Sequence, residues 1–402
     1  MIQDRAPRVE VVYFNAGGGH RAAAMALKEV LGTFDPTWRV ELVQLQELLQ
    51  SLDPLYQAAG LHSEELYNLA LKRGWTYGSE TFLRVLQKGI AIEAPAFKRR
   101  LREWWADREP DLVVSVVPNF NRVMYEALEL THPTVPFVTI MTDFADVPPN
   151  FWMEPQDQYL ICGTRKAALQ ATLTGYYRPE RVFEVSGMII RPRFYSALAG
   201  KPELTREALG LDPRAKVALV MFGGYGSEES TEVIDHLGRQ GVACILMCGR
   251  NEKLFEKYRS HRSVHAVAFT EQVEAYMRLA DFFVGKPGPG SISEALLMGL
   301  PVIVTSSSRT MTQERYNVTW VEENGVGIGV GNGRQLDEAV RYLLAGARLD
   351  HYRRRAAALG NRAVFEIPPL LKGIMDGRER AEQTCFSTRD RMVVGGLGWR
   401  AC

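Results

Sequence analysis

Short apolar, β-branched runs alternate along this chain with helix-forming stretches, at the spacing of right-handed β-α-β crossovers. Arg8–Phe14 reads as a strand that ends in a glycine turn, Gly17-Gly18-Gly19-His20, and feeds the helical run Arg21–Leu31. Val40–Leu45, Leu112–Val117 and Phe137–Met141 read as further buried strands of an open parallel sheet. The pattern stops around Gly187–Phe194, and Ala199–Pro202 leads into an expected helix, Leu204–Leu209. A second series then begins. Its strands are Val217–Phe222, Ala243–Cys248, Val264–Ala268, Phe282–Val284 and Val302–Val304, and its helices are Glu229–Arg239, Val273–Leu279 and Ile292–Met298. The fold class is therefore α/β, with two doubly wound sheets in tandem, each opening on a glycine loop and facing a shared cleft. No shorter repeat is present.

The 402 residues suit two domains better than one. With 46% apolar and 24% charged residues, disorder, collagen and coiled coil are excluded for the whole chain. Lys plus Arg is 48 against 47 Asp plus Glu, a net charge of +1 that gives no global attraction to nucleic acid. An anionic ligand must therefore be held locally. Cys162, Cys244, Cys248, Cys385 and Cys402 form no Cys-x-x-Cys pair, which suggests reduced cytosolic thiols. Neither a signal peptide nor a run of 18 apolar residues occurs, so the expected location is cytoplasmic, with peripheral attachment to the inner face of the cell membrane left open.

Three segments carry candidate chemistry. At the first turn, Gly18 and Gly19 would let backbone approach a diphosphate at a helix N-terminus, and His20 could take a proton there. The plain alternative is a tight turn required only by packing. Lys286–Pro301 is a Pro/Gly loop running into a helix expected to be capped by Ser291. Such a loop offers a nest of amides to a diphosphate, and Glu294 could accept two hydroxyl protons from a ribose diol. The alternative for Glu294 is an acid favoured by the helix dipole. Thr312–Asn317 places amide and carboxylate groups side by side, as a polyol requires, although a solvated helix start has the same composition.

Together these segments resemble the inverting family 28 glycosyltransferases, in particular the monogalactosyldiacylglycerol synthase branch, and more distantly the lipid II-forming N-acetylglucosaminyltransferases. The resemblance runs over about residues 8–345 and also includes Thr142-Asp143, Gly187–Phe194, Phe222–Gly226, Cys248–Asn251 and Ala268-Phe269. Met311-Thr312 stands where the family usually has Pro-Gly, Ala268 where it has Gly, and no His occurs in Phe144–Trp152.

The resemblance implies a GT-B fold, with an acceptor-binding domain over 1–195, a UDP-sugar-binding domain over 196–365 and a C-terminal helix and loose tail over 366–402. It places Phe269 at uracil, Glu294 at ribose, Gly290, Ser291 and Ile292 at the diphosphate with Gly224 approaching it, and Gln313 and Glu314 at the hexose. Arg250 and Asn317 join the substrate-binding set with Gly18 and Gly19. His20 is expected as the general base with a pKa near 7, and Asp143 is the alternative. The expected reaction moves galactose or glucose from a UDP-sugar to a lipid hydroxyl such as that of diacylglycerol, forming a β-glycoside. No Asp-x-Asp stands where a metal would bridge the diphosphate, so no metal or other cofactor is expected. Competing readings are transfer to a non-lipid acceptor, a UDP-sugar epimerase or hydrolase, and a silent nucleotide-sugar binder. Segment 55–108 is aromatic, and Lys98–Arg108 carries five basic and two acidic residues, which suggests an anionic membrane surface as partner. The alternative there is a helical layer with its aromatics in the core.

Overall fold

Strands rich in Val, Ile, Leu and Phe can be buried on both faces, and here they build two wholly parallel sheets. The computed structural model describes residues 5–15, 18–49, 79–201, 204–307 and 310–377, with the backbone alone over 79–86. The first sheet has β1 (Arg8–Tyr13), β2 (Arg39–Gln44), β3 (Leu112–Ser115), β4 (Phe137–Ile140), β5 (Tyr159–Cys162) and β6 (Val182–Glu184), in the order β2-β1-β3-β4-β5-β6. The second has β7 (Val217–Met221), β8 (Ala243–Gly249), β9 (Val264–Ala268), β10 (Phe282–Gly285), β11 (Val302–Thr305) and β12 (Gly327–Val330), in the order β12-β11-β10-β7-β8-β9. The order reverses between β1 and β3 in one sheet and between β7 and β10 in the other. At such switch points the loops at the strands' carboxyl ends part and leave a crevice.

The helices cover both faces. In the first half they are α1 (Gly19–Phe34), α2 (Leu45–Leu49), α3 (Ser79–Ala106), α4 (Asn121–Thr131) and α5 (Arg165–Thr174). α1 buries Ala23, Ala24, Ala26, Leu27, Val30 and Leu31, the apolar stripe of a sheet-covering helix. α6 (Pro192–Ala199) leads into the second half, where α7 (Glu229–Arg239), α8 (Glu252–Tyr258), α9 (Val273–Met277), α10 (Pro289–Leu297), α11 (Thr312–Glu323), α12 (Gly333–Leu344) and α13 (Arg348–Ala358) flank the sheet. The last described helix, α14 (Ala363–Met375), returns to the first sheet and packs Ala363, Ile367, Leu371 and Ile374 into its core. Where the chain crosses and recrosses, the Asn361 amide donates to the Met188 carbonyl at 3.0 Å, the Arg362 N–H to Ser186 Oγ at 2.7 Å and the Ser186 N–H to Glu366 Oε2 at 2.8 Å.

Several sequence expectations change. The helix expected over Leu204–Leu209 is only a turn at 206–210, because Gly210 turns the backbone to φ 70° before a second helical turn can form. Ser291 is not a cap: α10 starts earlier, on Pro289, with Gly288 as the cap and no side-chain hydrogen bond. Strands β5, β6 and β12 were not expected. In the aromatic segment, residues 55–78 lie outside the described residues, as does the tail from 378. Within α3, Trp105 is buried and Trp104 half-buried. Both indoles donate to Glu10 Oε2, at 3.0 and 3.2 Å, which ties both rings to β1 and places Trp105 in the protein interior. No described helix is long and apolar enough to cross a membrane.

Candidate active site

The turn after β1 and the loop after β4 meet at the first switch point. Gly18 caps α1 at φ 86°, a left-handed backbone that disfavours any side chain, and a Cβ on Gly18 or Gly19 would point into open space. Gly17 lies outside the described residues. His20 follows in the first turn of α1, with Nδ1 3.2 Å from the Thr142 hydroxyl and its ring 6.0 Å from that of Trp152. Burial drives the imidazole pKa down to about 4, only partly opposed by a hydrogen bond to the Val116 backbone. The expected value near 7 therefore gives way to a ring that stays neutral at physiological pH.

Asp143 behaves in the opposite way. It is buried, its Oδ2 accepts the Trp152 indole N–H at 2.8 Å, and burial lifts its pKa to about 7. The Trp152 hydrogen bond and the Lys286 charge oppose the rise, while Glu314 and Asp146 add to it. Trp152, which the sequence did not single out, thus stands between the two candidate bases. It is held from below: its N–H donates to Asp146 Oδ1 at 2.7 Å and its carbonyl accepts from Asn121 at 3.4 Å. Asn121 Oδ1 in turn accepts from Ser115 and Thr139 at 2.8 and 3.1 Å, a buried polar network that fixes the loop.

The second switch point faces this loop. Gly223, after β7, adopts φ 81° and brings its backbone against the Lys286 stem after β10. Lys286 Nζ bonds Glu314 Oε1 of α11 at 2.7 Å. Gly288 and Ser291 lie beside the same pair, and Gly224 and Gly290 leave open space where a Cβ would be. This cationic side chain, two open glycines and the first turn of a helix make a cradle suited to an anion. Ile292 contributes less than expected, since its side chain is wholly buried and its N–H already donates to the Gly288 carbonyl at 3.1 Å. Asn317 is also fully buried and donates to the Pro287 carbonyl at 2.7 Å, bracing the loop from behind. Gln313 is half-buried and donates to the Met311 sulfur at 3.5 Å.

After β9, Phe269 is 52% exposed and the Arg250 guanidinium sits 4.9 Å from its ring centre. Glu294 of α10 has its Oε1 3.9 Å from Arg191 of the crossing segment. Burial raises its pKa to about 7 against the pull of Arg191 and Arg193, and Glu274 adds to the rise.

A profile of the family described as Monogalactosyldiacylglycerol (MGDG) synthase matches residues 20–189, and one described as Glycosyltransferase family 28 C-terminal domain matches residues 228–358. The chain is 32% identical over 346 residues to the probable monogalactosyldiacylglycerol synthase 2, chloroplastic, of Oryza sativa subsp. indica, an alignment covering 80% of this chain and 70% of that protein. With the monogalactosyldiacylglycerol synthase of Spinacia oleracea it shares 29% over 355 residues, 83% of this chain and 65% of the other. Among solved structures, MurG of Acinetobacter baumannii matches with a TM-score of 0.59 at 10% identity, over 91% of this chain and 99% of that one. The glycosyltransferase of kitacinnamycin matches with 0.59 at 16%, over 92% and 99%. At these identities the structural likeness speaks for the fold alone, and that fold is GT-B. The chain belongs to the monogalactosyldiacylglycerol synthase family and is a glycosyltransferase.

Proposed function

We propose that this enzyme moves a hexose from a UDP-sugar to a lipid hydroxyl, with diacylglycerol as acceptor and galactose as the first donor to test. The relatives named above support this reading, since their names state a galactosyl product of diacylglycerol. The observation that carries it is the meeting of two switch points, which sets Asp143 of the first half within electrostatic reach of Lys286 and Glu314 of the second. Residues 1–195 would bind the acceptor and 196–365 the donor, with α14 returning to brace the acceptor half.

In this reading uracil lies on Phe269 beside Arg250, and Glu294 releases Arg191 to take the ribose diol. The diphosphate enters the cradle of Gly224, Gly290, Ser291 and Lys286, which stabilises the charge that develops as it departs. Gln313 and Glu314 hold the hexose. The acceptor hydroxyl approaches past Gly18, Gly19 and His20. Its oxygen attacks the anomeric carbon from the face opposite the diphosphate, the bond from that carbon to the diphosphate oxygen breaks, and the hydroxyl proton passes to Asp143. A carboxylate with a pKa near 7 is a stronger proton acceptor than an imidazole near 4, so Asp143 is assigned as base. Neutral His20 orients the incoming hydroxyl.

We place the enzyme peripherally on the inner face of the cell membrane. The buried, unpaired Cys162, Cys244 and Cys248 suit a reducing compartment. On the outer side of α3, Lys88, Ile92, Arg99 and Arg102 are exposed at helical spacing, a basic and apolar stripe that fits an anionic lipid surface. The test is incubation with UDP-galactose or UDP-glucose and vesicles containing diacylglycerol, followed by mass spectrometry and NMR of the lipid phase. A β-hexosyldiacylglycerol is expected. UDP release without a new glycolipid would overturn the acceptor assignment, and an α-product would overturn the inverting mechanism.

A further inference from the structure

The loop after β4 carries a residue that none of these roles uses. Phe144, next to Asp143, is 1% exposed, yet its side chain is not in the core of its own sheet. Its ring centre lies 4.2 Å from that of Trp320 on α11, tilted by 34°. It belongs to the apolar cluster of the second half, together with Ile292 of α10 and with Met188, Ile190 and Phe194 of the crossing segment. The main chain is tied the other way. Thr164 Oγ1 donates to the Phe144 carbonyl and accepts from the Ala167 N–H at 3.1 Å, which anchors the loop to the start of α5. Backbone in one half and side chain in the other is the arrangement of a key in a lock. Lys166, 5.9 Å over the Tyr316 ring, spans the halves along the same line.

We propose that Phe144 is a positioning residue: by docking the acceptor-side loop into the donor half, it sets Asp143 against the Lys286–Glu314 pair. The proposal rests on the functional reading above for what those groups do. Geometry alone gives the coupling, because Phe144 and Asp143 are consecutive and Trp320 and Glu314 share α11. The groups facing Asp143 are Trp152 and Asp146 from its own loop, Lys286 after β10 and Glu314 from α11. Undocking Phe144 moves the loop away from α11, which hydrates Asp143 and removes the repulsion from Glu314. Undocking also removes the Lys286 attraction, but hydration and the lost Glu314 repulsion outweigh it, so the ionised carboxylate is favoured and the acid limb of the rate profile must move to lower pH.

The experiment compares wild-type enzyme with Phe144→Ala, Phe144→Leu and Trp320→Ala, using UDP-galactose and diacylglycerol vesicles, UDP calorimetry and small-angle X-ray scattering. Phe144→Ala is expected to lower kcat roughly 10–100-fold, the scale of a misplaced reacting group. UDP affinity should stay unchanged, and the acid limb should shift down in pH. Trp320→Ala should reproduce the shift from the other side, and Phe144→Leu should restore both rate and profile in large part. A fall in kcat with an unmoved acid limb and no rescue by leucine would show a mere core residue and overturn the proposal, as would an unaltered rate. If Phe144→Ala does not fold, the leucine and Trp320 variants carry the same comparison. If wild-type enzyme transfers no sugar, the functional reading has failed on its own. The docking is then read from scattering, where a larger radius of gyration for Phe144→Ala supports it and an unchanged one overturns it.

Discussion

Two side chains at the first switch point are tuned in opposite directions by the same cause. Burial disfavours whichever form is charged, so it drives His20 down to about 4 and Asp143 up to about 7. If Asp143 takes the proton, kcat/KM should fall about tenfold per pH unit below a midpoint near 7, since only the carboxylate form accepts. With His20 as base, activity would hold nearly flat to about pH 5. Asp143→Asn should cost roughly 10²–10⁴-fold, the span of a lost general base. Trp152→Phe removes a hydrogen bond that favours the carboxylate, so its midpoint should rise. A profile flat through neutrality would reject the aspartate. The sequence did disclose both candidates, because each sits in a recognisable motif beyond the carboxyl end of a strand. It could not rank them, since depth of burial and the indole of Trp152 are properties of the folded loop. The same limit explains Ser291 and Asn317. Their types suit a cap and a sugar contact, but Pro289 starts α10 earlier and the Pro287 carbonyl claims the amide.

At the level of elements, Glu10 shows how a charge inside a central strand can organise a helix. Its Oε2 accepts both indole N–H groups of α3, which fixes the end of that helix against β1. Burial nevertheless raises its pKa, outweighing the two indoles and the charges of Arg108 and Arg8. The folded state therefore holds the proton more tightly than the unfolded chain. Stability from this group is complete below the ordinary glutamate range and is lost as pH rises through the raised folded value. Glu10→Gln keeps an acceptor for the indoles and removes the ionisation. The melting temperature of the variant relative to wild type should therefore increase from pH 4.5 to pH 8; thermal melts across that range check it, and a constant difference would refute the account. Elements of this kind were the most legible part of the chain. Glu229–Arg239 and Val264–Ala268 stand where periodicity put them, and the other expected strands moved by a residue or so at their ends. Val182–Glu184 and Gly327–Val330 escaped, because the first holds only two apolar residues before a glutamate and the second is broken by glycine, so neither reads as an apolar run and their pairing comes from neighbours already in the sheet.

Over the whole molecule, a net charge of +1 gives no long-range pull towards an anionic surface, so any electrostatic docking must come from how charges are arranged. On α3 the basic residues are not equivalent. Lys98 is committed to Glu126 at 3.0 Å and Arg100 to Glu103 at 3.4 Å, whereas Arg99 and Arg102 are exposed on the outer side with Ile92 and Lys88. A basic side chain near an anionic membrane contributes about 1 kcal/mol, so replacing Arg99 and Arg102 by Gln should weaken vesicle binding by about 2 kcal/mol, roughly 30-fold. Lys98→Gln should change it far less, because its partner already neutralises it. Sedimentation with vesicles of phosphatidylglycerol and phosphatidylcholine, at low and high salt, measures both variants against wild type. The attraction is screened over about 8 Å at physiological salt, so wild-type binding should fall as salt rises while the double variant, having little left to screen, changes less. Equal binding by the double variant, or wild-type binding indifferent to salt, would remove α3 from the membrane contact and leave the acceptor to reach the crevice by another face.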